Sequence, residues 1–186
     1  INTWPRAETF YFTADHDEGK TADQSIEVRF NDGSVAHISG TCRIVMPETD
    51  TEAINLVVKH GYRNHIDLDL KLLLPTIRNA LCMTANFMSA RESYSEKRPD
   101  FVFWAFDQIQ NGLYETEERT QKVTDPISGE QVTKTFKVIR KDERGNALRQ
   151  RNPLEGLGIR IENFEIKTYG YEQKVQDQIA RQQEAI

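Results

Sequence analysis

Apolar and polar residues alternate in the first quarter of the chain, over residues 26–30 and again over residues 35–44. An alternation with a period of two is typical of strands that bury one face. Asp32-Gly33 stands between the two runs and readily adopts the positive φ angles of a tight turn. Together with a third strand over residues 8–13, this pattern predicts a β-meander.

Three- and four-residue spacing replaces the alternation after Pro47 and predicts helices. Thr49 and Glu52 have the Ser/Thr-x-x-Glu form of a capping box, in which side chains bind the free backbone amides of the first turn. Gly61 is placed to end this helix after about His60 in a left-handed conformation. The residues expected to face inward are Ala53, Leu56 and Val57.

A longer helical pattern covers residues 67–88, and Pro75 within it predicts a kink or a break because proline lacks the backbone N–H. Ser93 and Glu96 form a second predicted capping box, which introduces a helix through about Gln110. This helix contains the most aromatic stretch of the chain. Its apolar side chains are expected to pack against the sheet rather than line a ligand pocket. They are Phe101, Phe103, Trp104, Phe106 and Ile109.

Strand-like alternation returns from residue 114 to about residue 150. Threonine, lysine and glutamate alternate there with few large apolar residues, so we predict a solvent-exposed hairpin inserted into the fold. A last half-buried strand is predicted over residues 156–167, followed directly by a helix over residues 169–186. One-residue changes of phase near Gly40 and Asn163 predict bulges in two of the strands.

These elements predict an α+β fold, with a mostly antiparallel sheet, two to three packed helices and the start of a long C-terminal helix. Hydrophobic residues make up 38% of the 186, which is enough for one domain with a real core. We expect that domain to cover residues 1–168, with the hairpin inserted at about residues 114–150. The start of a coiled-coil-like helix is expected over residues 169–186.

Charge and hydropathy argue against a nucleic-acid partner and against a membrane-spanning helix within these residues. The net charge of -5 gives no electrostatic reason to expect a nucleic-acid partner. The longest apolar stretch, residues 101–106, is far shorter than the roughly 20 residues that span a bilayer. The chain begins with Ile1 rather than Met, and we expect a truncated or processed end there.

The residue types that carry chemistry show no catalytic or metal-binding pattern. None of the four histidines stands in an HExxH arrangement, and no nucleophile or dinucleotide motif occurs. We therefore predict no enzymatic activity, no metal and no cofactor. Cys42 and Cys82 stand far apart in the sequence and are expected to be buried thiols rather than a disulfide bridge.

Three segments carry a resemblance to a known family. Ile26–Pro47 consists of a strand, an Asp-Gly turn and a strand ended by proline. Met88–Arg98 carries serine, glutamate and arginine in a helical region, and Gly156–Lys167 is a strand that runs directly into a polar helix. In this order, over nearly the whole chain, they resemble the stomatin/prohibitin/flotillin domain, also called the SPFH or band 7 domain. The inserted hairpin is longer than the direct helix-to-strand passage expected in that family.

The resemblance implies a non-enzymatic scaffold. Members of this family are anchored to a membrane by a segment before the domain and assemble side by side into large rings or cages. These assemblies organise a membrane microdomain or regulate membrane proteins such as proteases. The implied partners are further copies, in homo- or hetero-oligomers, together with membrane lipids and integral membrane proteins. The implied location is a membrane, reached through a segment outside these residues.

A narrow apolar seam on the predicted C-terminal helix is the expected site of assembly. Val175, Ile179 and Ile186 are its large apolar residues, while glutamine and charged side chains cover the other faces. An isolated polar helix is marginal in water without a neighbour. We therefore expect neighbouring copies to share this seam.

The start of the chain supplies the residues expected nearest to a membrane, namely Trp4, Phe10 and Phe12. Ordinary core packing is the alternative for the two phenylalanines. Two other functions also stay open. One is a small α+β enzyme with a site between the aromatic helix and the hairpin, and the other is a soluble adaptor or peptide-binding module that uses the hairpin.

Overall fold

The computed structural model describes residues 5–13, 23–124 and 129–184. The strands are β1 (Ala7–Phe12), β2 (Ile26–Arg29), β3 (Val35–Val45), β4 (Thr116–Thr124), β5 (Gln131–Ile139) and β6 (Arg160–Tyr171). The helices are α1 (Asp50–Val58), α2 (His65–Leu68), α3 (Leu74–Ala85), α4 (Ala90–Tyr94), α5 (Arg98–Asn111) and α6 (Gln173–Glu184). A π-helical segment, Asp69–Leu73, joins α2 to α3. The predicted α+β class with antiparallel strands is confirmed.

Strand β3 is the centre of the main sheet. Along one edge, β1 pairs with its second half, from Ala7 opposite Val45, and β2 pairs with its first half. Strand β6 pairs with β3 along the other edge, and all of these pairings are antiparallel. The turn between β2 and β3 contains Gly33 at φ +83°, so the predicted Asp-Gly turn is confirmed.

Two irregularities interrupt the pairing of β3 with β6, between Ser39 and Gly40 and between Thr41 and Arg43. The bulge predicted near Gly40 is thus confirmed, and Asn163 in β6 has a positive φ of 49° at the second predicted change of phase. A side chain at Gly40 would collide with the carbonyl oxygen of Glu165 and with the ring of Phe12. The bulge therefore depends on a residue without a Cβ.

Helix α1 has the caps that the sequence predicts but a different buried face. The Thr49 side chain accepts a hydrogen bond from the Glu52 backbone amide, and Gly61 lies beyond the end at φ +75°. Leu56 is the buried residue of the helix, whereas Ala53 and Val57 are exposed. The predicted inward positions of Ala53 and Val57 are wrong because this short helix contacts the core through a single side chain.

The irregularity predicted at Pro75 takes the form of the π-helical segment. Leu74 donates its backbone N–H to the carbonyl of Asp69, five residues back, and Pro75 follows in the first turn of α3. Pro75 has no backbone N–H to donate. The wider π-helical turn ends just before it, so the missing donor falls in the first turn of α3, where a free N–H is tolerated. The helix continues through this segment without a break.

The predicted position of the second capping box is wrong, because the box lies at the start of α4 and not of α5. Ser89 and Glu92 form it, at the start of α4, through reciprocal hydrogen bonds between each side chain and the other residue's backbone amide. Ser93 lies inside α4, where its hydroxyl donates to the carbonyl of Ala90 at 2.7 Å. Helix α5 begins at Arg98 after a residue that makes no side-chain cap.

The aromatic helix α5 buries a narrower stripe than predicted. Phe101, Ala105 and Ile109 are buried at helical spacing, but the side chain of Phe103 is 66% exposed. Residues two apart on a helix point about 200° apart, so a helix that buries Phe101 turns Phe103 outward. The predicted inward position of Phe103 is therefore wrong.

The last strand and the last helix begin later than predicted. Strand β6 covers Arg160–Tyr171, so Tyr169 and Tyr171 belong to the sheet, and α6 begins at Gln173. The core lies between the main sheet and helices α3 and α5. Its largest fully buried side chains include Phe12, Ile38, Ile44, Leu73, Ile77, Leu81, Phe101 and Ile109.

The inserted hairpin forms a separate two-stranded sheet from β4 and β5, and most of its side chains are exposed. The predicted exposed hairpin is confirmed over the described residues.

Candidate functional site

The junction between β6 and α6 is held by an aromatic cluster. Tyr171, the last residue of β6, lies with its ring centroid 5.9 to 6.3 Å from those of Phe30, Tyr94 and Tyr169. Its hydroxyl shares a buried hydrogen bond of 2.9 Å with the hydroxyl of Ser93 in α4. Burial raises the pKa of this tyrosine. The cluster therefore fixes the point at which the chain leaves the sheet.

Helix α6 is seated on its own domain by Val175, which is 4% exposed and belongs to the core. Ile179, one turn further on, is half-buried against that core. Together with Arg91 of α4, these two residues line a groove of about 370 Å³. Val175 thus makes its contact within the chain, and Ile179 is the predicted seam residue that stays partly open. Ile186 lies outside the described residues, and the role of the seam in assembly stays a prediction.

Phe10 and Phe12 are core residues. They are 9% and 0% exposed, and the ring of Phe12 stacks on that of Phe164 with 5.9 Å between centroids. The structure places both side chains in the core, which was the alternative to a position near a membrane. A contact with a membrane needs exposed side chains, and neither phenylalanine is exposed. Trp4 lies outside the described residues.

One face of α1 presents apolar side chains that the sequence interpretation missed. Ile54, Val57 and Val58 are 59%, 41% and 78% exposed. They line a shallow groove of about 660 Å³ together with Pro5 and Met46, beside the start of β1. The spacing of i, i+3 and i+4 could have indicated this face, but the sequence does not tell which face of a short helix meets the core.

A second concave surface lies between the hairpin and α5. Phe87 and Trp104 form its aromatic part, with their rings edge to face and 5.9 Å between centroids. The cleft has a volume of about 610 Å³. Its charged lining is mostly basic and consists of Glu117, Arg119, Lys137, Arg140 and Lys141.

A polar cluster fixes the base of the hairpin. The carboxylate of Asp107 in α5 accepts hydrogen bonds from the Tyr114 hydroxyl, from Arg149 at 2.7 Å and from Asn111 at 2.8 Å. Burial raises the pKa of this carboxyl, but the three hydrogen bonds and the charge of Arg149 outweigh burial and hold its pKa below the usual range. The Arg149 guanidinium also lies 4.7 Å from the ring centre of Tyr114.

The two cysteines are free thiols, Cys42 buried and Cys82 half-buried. Within residues 5–13, 23–124 and 129–184, no group of three or more histidine, cysteine or acidic side chains could hold a metal ion. The arrangement offers surfaces for binding: a partly open seam on α6, an apolar face on α1 and a basic aromatic cleft at the hairpin.

Among the described residues, none of the helices is long and apolar enough to cross a bilayer. No protein-family model matches the chain, and no curated protein is similar to it in sequence.

Proposed function

We propose that the chain is the globular part of a non-enzymatic, membrane-associated scaffold of the SPFH or band 7 type. In this function, copies assemble side by side into large homo- or hetero-oligomeric rings or cages. A membrane anchor outside the 186 residues attaches the assembly. The assembly organises a membrane microdomain or regulates integral membrane proteins such as proteases.

The observation that carries the proposal is the direct passage of β6 into α6. Strand β6 pairs along β3 as far as Tyr171, and α6 starts two residues later. A helix joined so closely to a sheet has a direction set by that sheet, because few backbone angles lie between them. A scaffold needs this property, since every copy must point its contact helix in the same direction.

The surface of α6 supports a contact with another helix. Val175 is buried against the core and Ile179 is half-buried, while the other α6 side chains described between Gln173 and Arg181 are exposed. A polar helix of about 12 residues is marginal in water unless its narrow apolar stripe is covered. The half-covered Ile179 therefore marks where a neighbouring copy adds its own apolar contact.

The order of elements is a second support. The chain contains, in this order, a hairpin with an Asp-Gly turn, a short capped helix, a longer helical pair and a final strand that runs into a polar helix. This order resembles that of the SPFH or band 7 domain. The proposal extends the resemblance from the order of elements to the way in which copies assemble.

The experiment compares the full 186-residue chain with two variants, Ile179→Asp and Ala180→Asp. Ala180 is exposed and serves as a matched control for a new carboxylate on the same helix. Mass in solution is measured by analytical ultracentrifugation, and binding to vesicles of mixed neutral and anionic lipid by flotation after a hydrophobic anchor is fused before Ile1. The expected result is large assemblies for the wild type and for Ala180→Asp, and smaller species that still unfold in one cooperative thermal transition for Ile179→Asp.

A wild-type chain that stays monomeric with and without vesicles would overturn the proposed function. Equal loss of assembly in Ile179→Asp and Ala180→Asp would show that the apolar seam on α6 is not the contact between copies.

A further inference from the structure

The outer edge of β5 has no partner strand among the described residues, which place β4 and β5 in a sheet of two strands. Arg140, the residue after β5, donates its backbone N–H to the carbonyl of Glu115 at 2.8 Å, on the side of β4. The backbone groups of successive residues in an antiparallel strand point alternately to the two sides. The N–H and C=O groups of Lys137 and Ile139 therefore point away from β4.

This open edge continues to Lys141. The carbonyl of Arg140 accepts a hydrogen bond from the Leu148 amide at 2.9 Å, on the same side as Glu115. Two residues later, the Asp142 amide donates to a carbonyl of that same segment at 2.8 Å. Lys141 stands between them, so its own N–H and C=O groups point to the other side. Three alternate residues thus present backbone donors and acceptors that have no partner among the described residues.

The open edge borders the cleft between the hairpin and α5. Five consecutive residues, 137–141, line this cleft. Successive side chains of a strand point to opposite faces, so a surface lined by all five follows the edge of the strand. Phe87 and Trp104 also line the cleft, and both are half-buried, so part of each ring is open to it. The cleft thus combines free backbone groups with an apolar wall.

The charge that the cleft offers to a partner is positive. Each of the two arginines in its lining is paired with a glutamate of the hairpin at 2.7 Å. Lys137 lies opposite Glu118 in the pairing of β4 with β5, but no ion pair joins them. Lys141 also forms no ion pair among the described residues. These two lysines are therefore the cations available to a partner.

The hairpin itself lacks a covering layer. Strands β4 and β5 pair over nine residues each, and most of their side chains are exposed. A two-stranded sheet is marginally stable in water, and a third strand adds both hydrogen bonds and side-chain contacts. A strand that pairs with the open edge of β5 would complete the sheet.

We propose that the cleft binds an extended acidic peptide segment of another protein, which pairs with the open edge of β5 as a third strand. Its backbone bonds to that of Lys137, Ile139 and Lys141, and its carboxylates face the two lysine ammonium groups. A large apolar side chain of the segment lies on Phe87 and Trp104. A helix does not fit this edge, because its backbone groups are already bonded within the helix.

This inference goes beyond the proposed function and does not depend on assembly. It gives the inserted hairpin a function, namely recognition of a partner by its sequence and its extended conformation. An anionic bilayer is a less suitable occupant of the cleft. It offers no strand backbone to the open edge, and Glu115, Glu117 and Glu118 of the hairpin are repelled by anionic headgroups.

The probe for the test is the peptide EDEIFEDE, labelled with fluorescein at its N-terminus and amidated at its C-terminus. Two adjacent apolar residues stand at its centre because successive side chains of an added strand point to opposite sides. One of them therefore reaches the rings in either orientation. Fluorescence anisotropy measures binding to the full 186-residue chain, and saturable binding is expected.

The emission of Trp104 gives a second readout at the cleft itself. Trp4 and Trp104 are the two tryptophans of the chain, so Trp4→Phe leaves Trp104 as the single indole. An unlabelled peptide that covers the ring is expected to shift its emission to shorter wavelength.

Two charge-reversed variants test the lysines. Lys137→Glu with Lys141→Glu is expected to weaken peptide binding by at least about tenfold. Lys122→Glu with Lys134→Glu reverses two exposed hairpin charges outside the cleft and is expected to bind within about twofold of the wild type. All four side chains are exposed, and thermal melts followed by circular dichroism check that both variants fold.

Two altered peptides test the other contacts. EDEGGEDE keeps every carboxylate but has no apolar side chain for the rings. EDEIFEDE with N-methyl groups on its four central backbone nitrogens keeps every side chain but cannot donate to the open edge of β5. Each is expected to bind at least about tenfold more weakly than EDEIFEDE.

Absence of saturable binding of EDEIFEDE up to about 1 mM would overturn the inference. Equal binding of the N-methylated peptide, or equal weakening by both charge-reversed variants, would also overturn it. Flotation with anionic vesicles that needs Lys137 and Lys141, without peptide binding, would assign the cleft to lipid instead. Both variants are expected to assemble like the wild type in analytical ultracentrifugation, so a failure of peptide binding leaves the proposed function intact.

Discussion

The hydroxyl of Tyr171 and the hydroxyl of Ser93 are 2.9 Å apart in a buried contact, although 78 residues separate them in the chain. Ser93 donates its own proton to the carbonyl of Ala90, so Tyr171 is the donor between the two hydroxyls. The contact joins α4 to the last residue of β6. It therefore ties the start of α6 to the helical layer.

Replacing Ser93 by alanine is expected to cost more than replacing Tyr171 by phenylalanine. Ser93→Ala leaves the buried tyrosine donor unpaired and is expected to lower the free energy of unfolding by about 1–3 kcal/mol. Tyr171→Phe removes the donor itself, and Ser93 keeps its bond to Ala90, so the expected cost is about 0.5–1.5 kcal/mol. Urea denaturation of both single variants and the double variant measures the difference. A double variant as unstable as the sum of the two would contradict this coupling.

Asp107→Asn is expected to destabilise the base of the hairpin by about 1.5–3 kcal/mol at neutral pH, because it removes a charged acceptor of several hydrogen bonds. The pKa of Asp107 is lowered in the folded state. Its charge therefore contributes stability above the unfolded pKa of about 3.9, and this contribution is lost as pH falls through the lower folded pKa.

The difference in stability between wild type and Asp107→Asn should accordingly shrink as the pH is lowered below about 4. Denaturant titrations at several pH values measure it. Asp100→Asn, an exposed carboxylate at the start of the same helix, is the control and should change stability by less than about 1 kcal/mol. A difference that stays constant down to pH 2 would show that Asp107 does not act through its charge.

Val175→Ala is expected to lower the free energy of unfolding by about 1–3 kcal/mol, because the side chain is buried in its own domain. Ile179→Asp should reduce assembly, and it should also lower thermal stability because Ile179 is half-buried against the core. Differential scanning calorimetry at low protein concentration separates the two effects. A Val175→Ala variant as stable as the wild type would show that α6 does not pack against its own domain in solution.

Gly40→Ala is expected to cost about 1–3 kcal/mol or more, since the new methyl group has no room between the β6 backbone and Phe12. Gly145→Ala is a comparison in which strain alone acts, because Gly145 has a positive φ but open space around it. Thermal melts of both variants, followed by circular dichroism, test this. The larger loss is expected at Gly40, and an unchanged melting temperature there would exclude the collision.

The two thiols should react at different rates. Burial and the nearby charge of Asp69 raise the pKa of Cys42 to about 12, and burial also raises the pKa of the half-exposed Cys82. In iodoacetamide labelling followed by mass spectrometry, Cys82 should be modified first, and Cys42 only after denaturation. Equal labelling of both cysteines in the native protein would contradict the burial of Cys42.

Features that depend on local backbone chemistry could be predicted from the sequence. The Asp32-Gly33 turn, the Thr49 cap, the stop at Gly61 and the exposed hairpin each follow from the conformational preferences of a few neighbouring residues. The bulge at Gly40 could also be placed, because a change of phase in the alternation marks it directly.

Features that depend on tertiary contacts could not be predicted. Ser89 with Glu92 and Ser93 with Glu96 have the same motif, and only the first begins a helix. A distant contact accompanies that choice, since the Asp32 carboxylate accepts a hydrogen bond from the Ala90 amide at 3.1 Å. In the same way, the exposure of Val57 and the burial of Val175 depend on how each helix lies against the sheet, which neither helix encodes alone.

The arrangement of β1 and β6 on opposite edges of β3 has a mechanical consequence. Ala7 lies opposite Val45 at one end of β3, and Tyr171 lies opposite Ala36 at the other end. A pulling force between Ala7 and Tyr171 acts along the strands, while the hydrogen bonds of antiparallel pairs run across them. The bonds of each pairing are then loaded together in shear instead of breaking one after another. The sheet can thus transmit tension from the beginning of β1 to α6 without peeling apart.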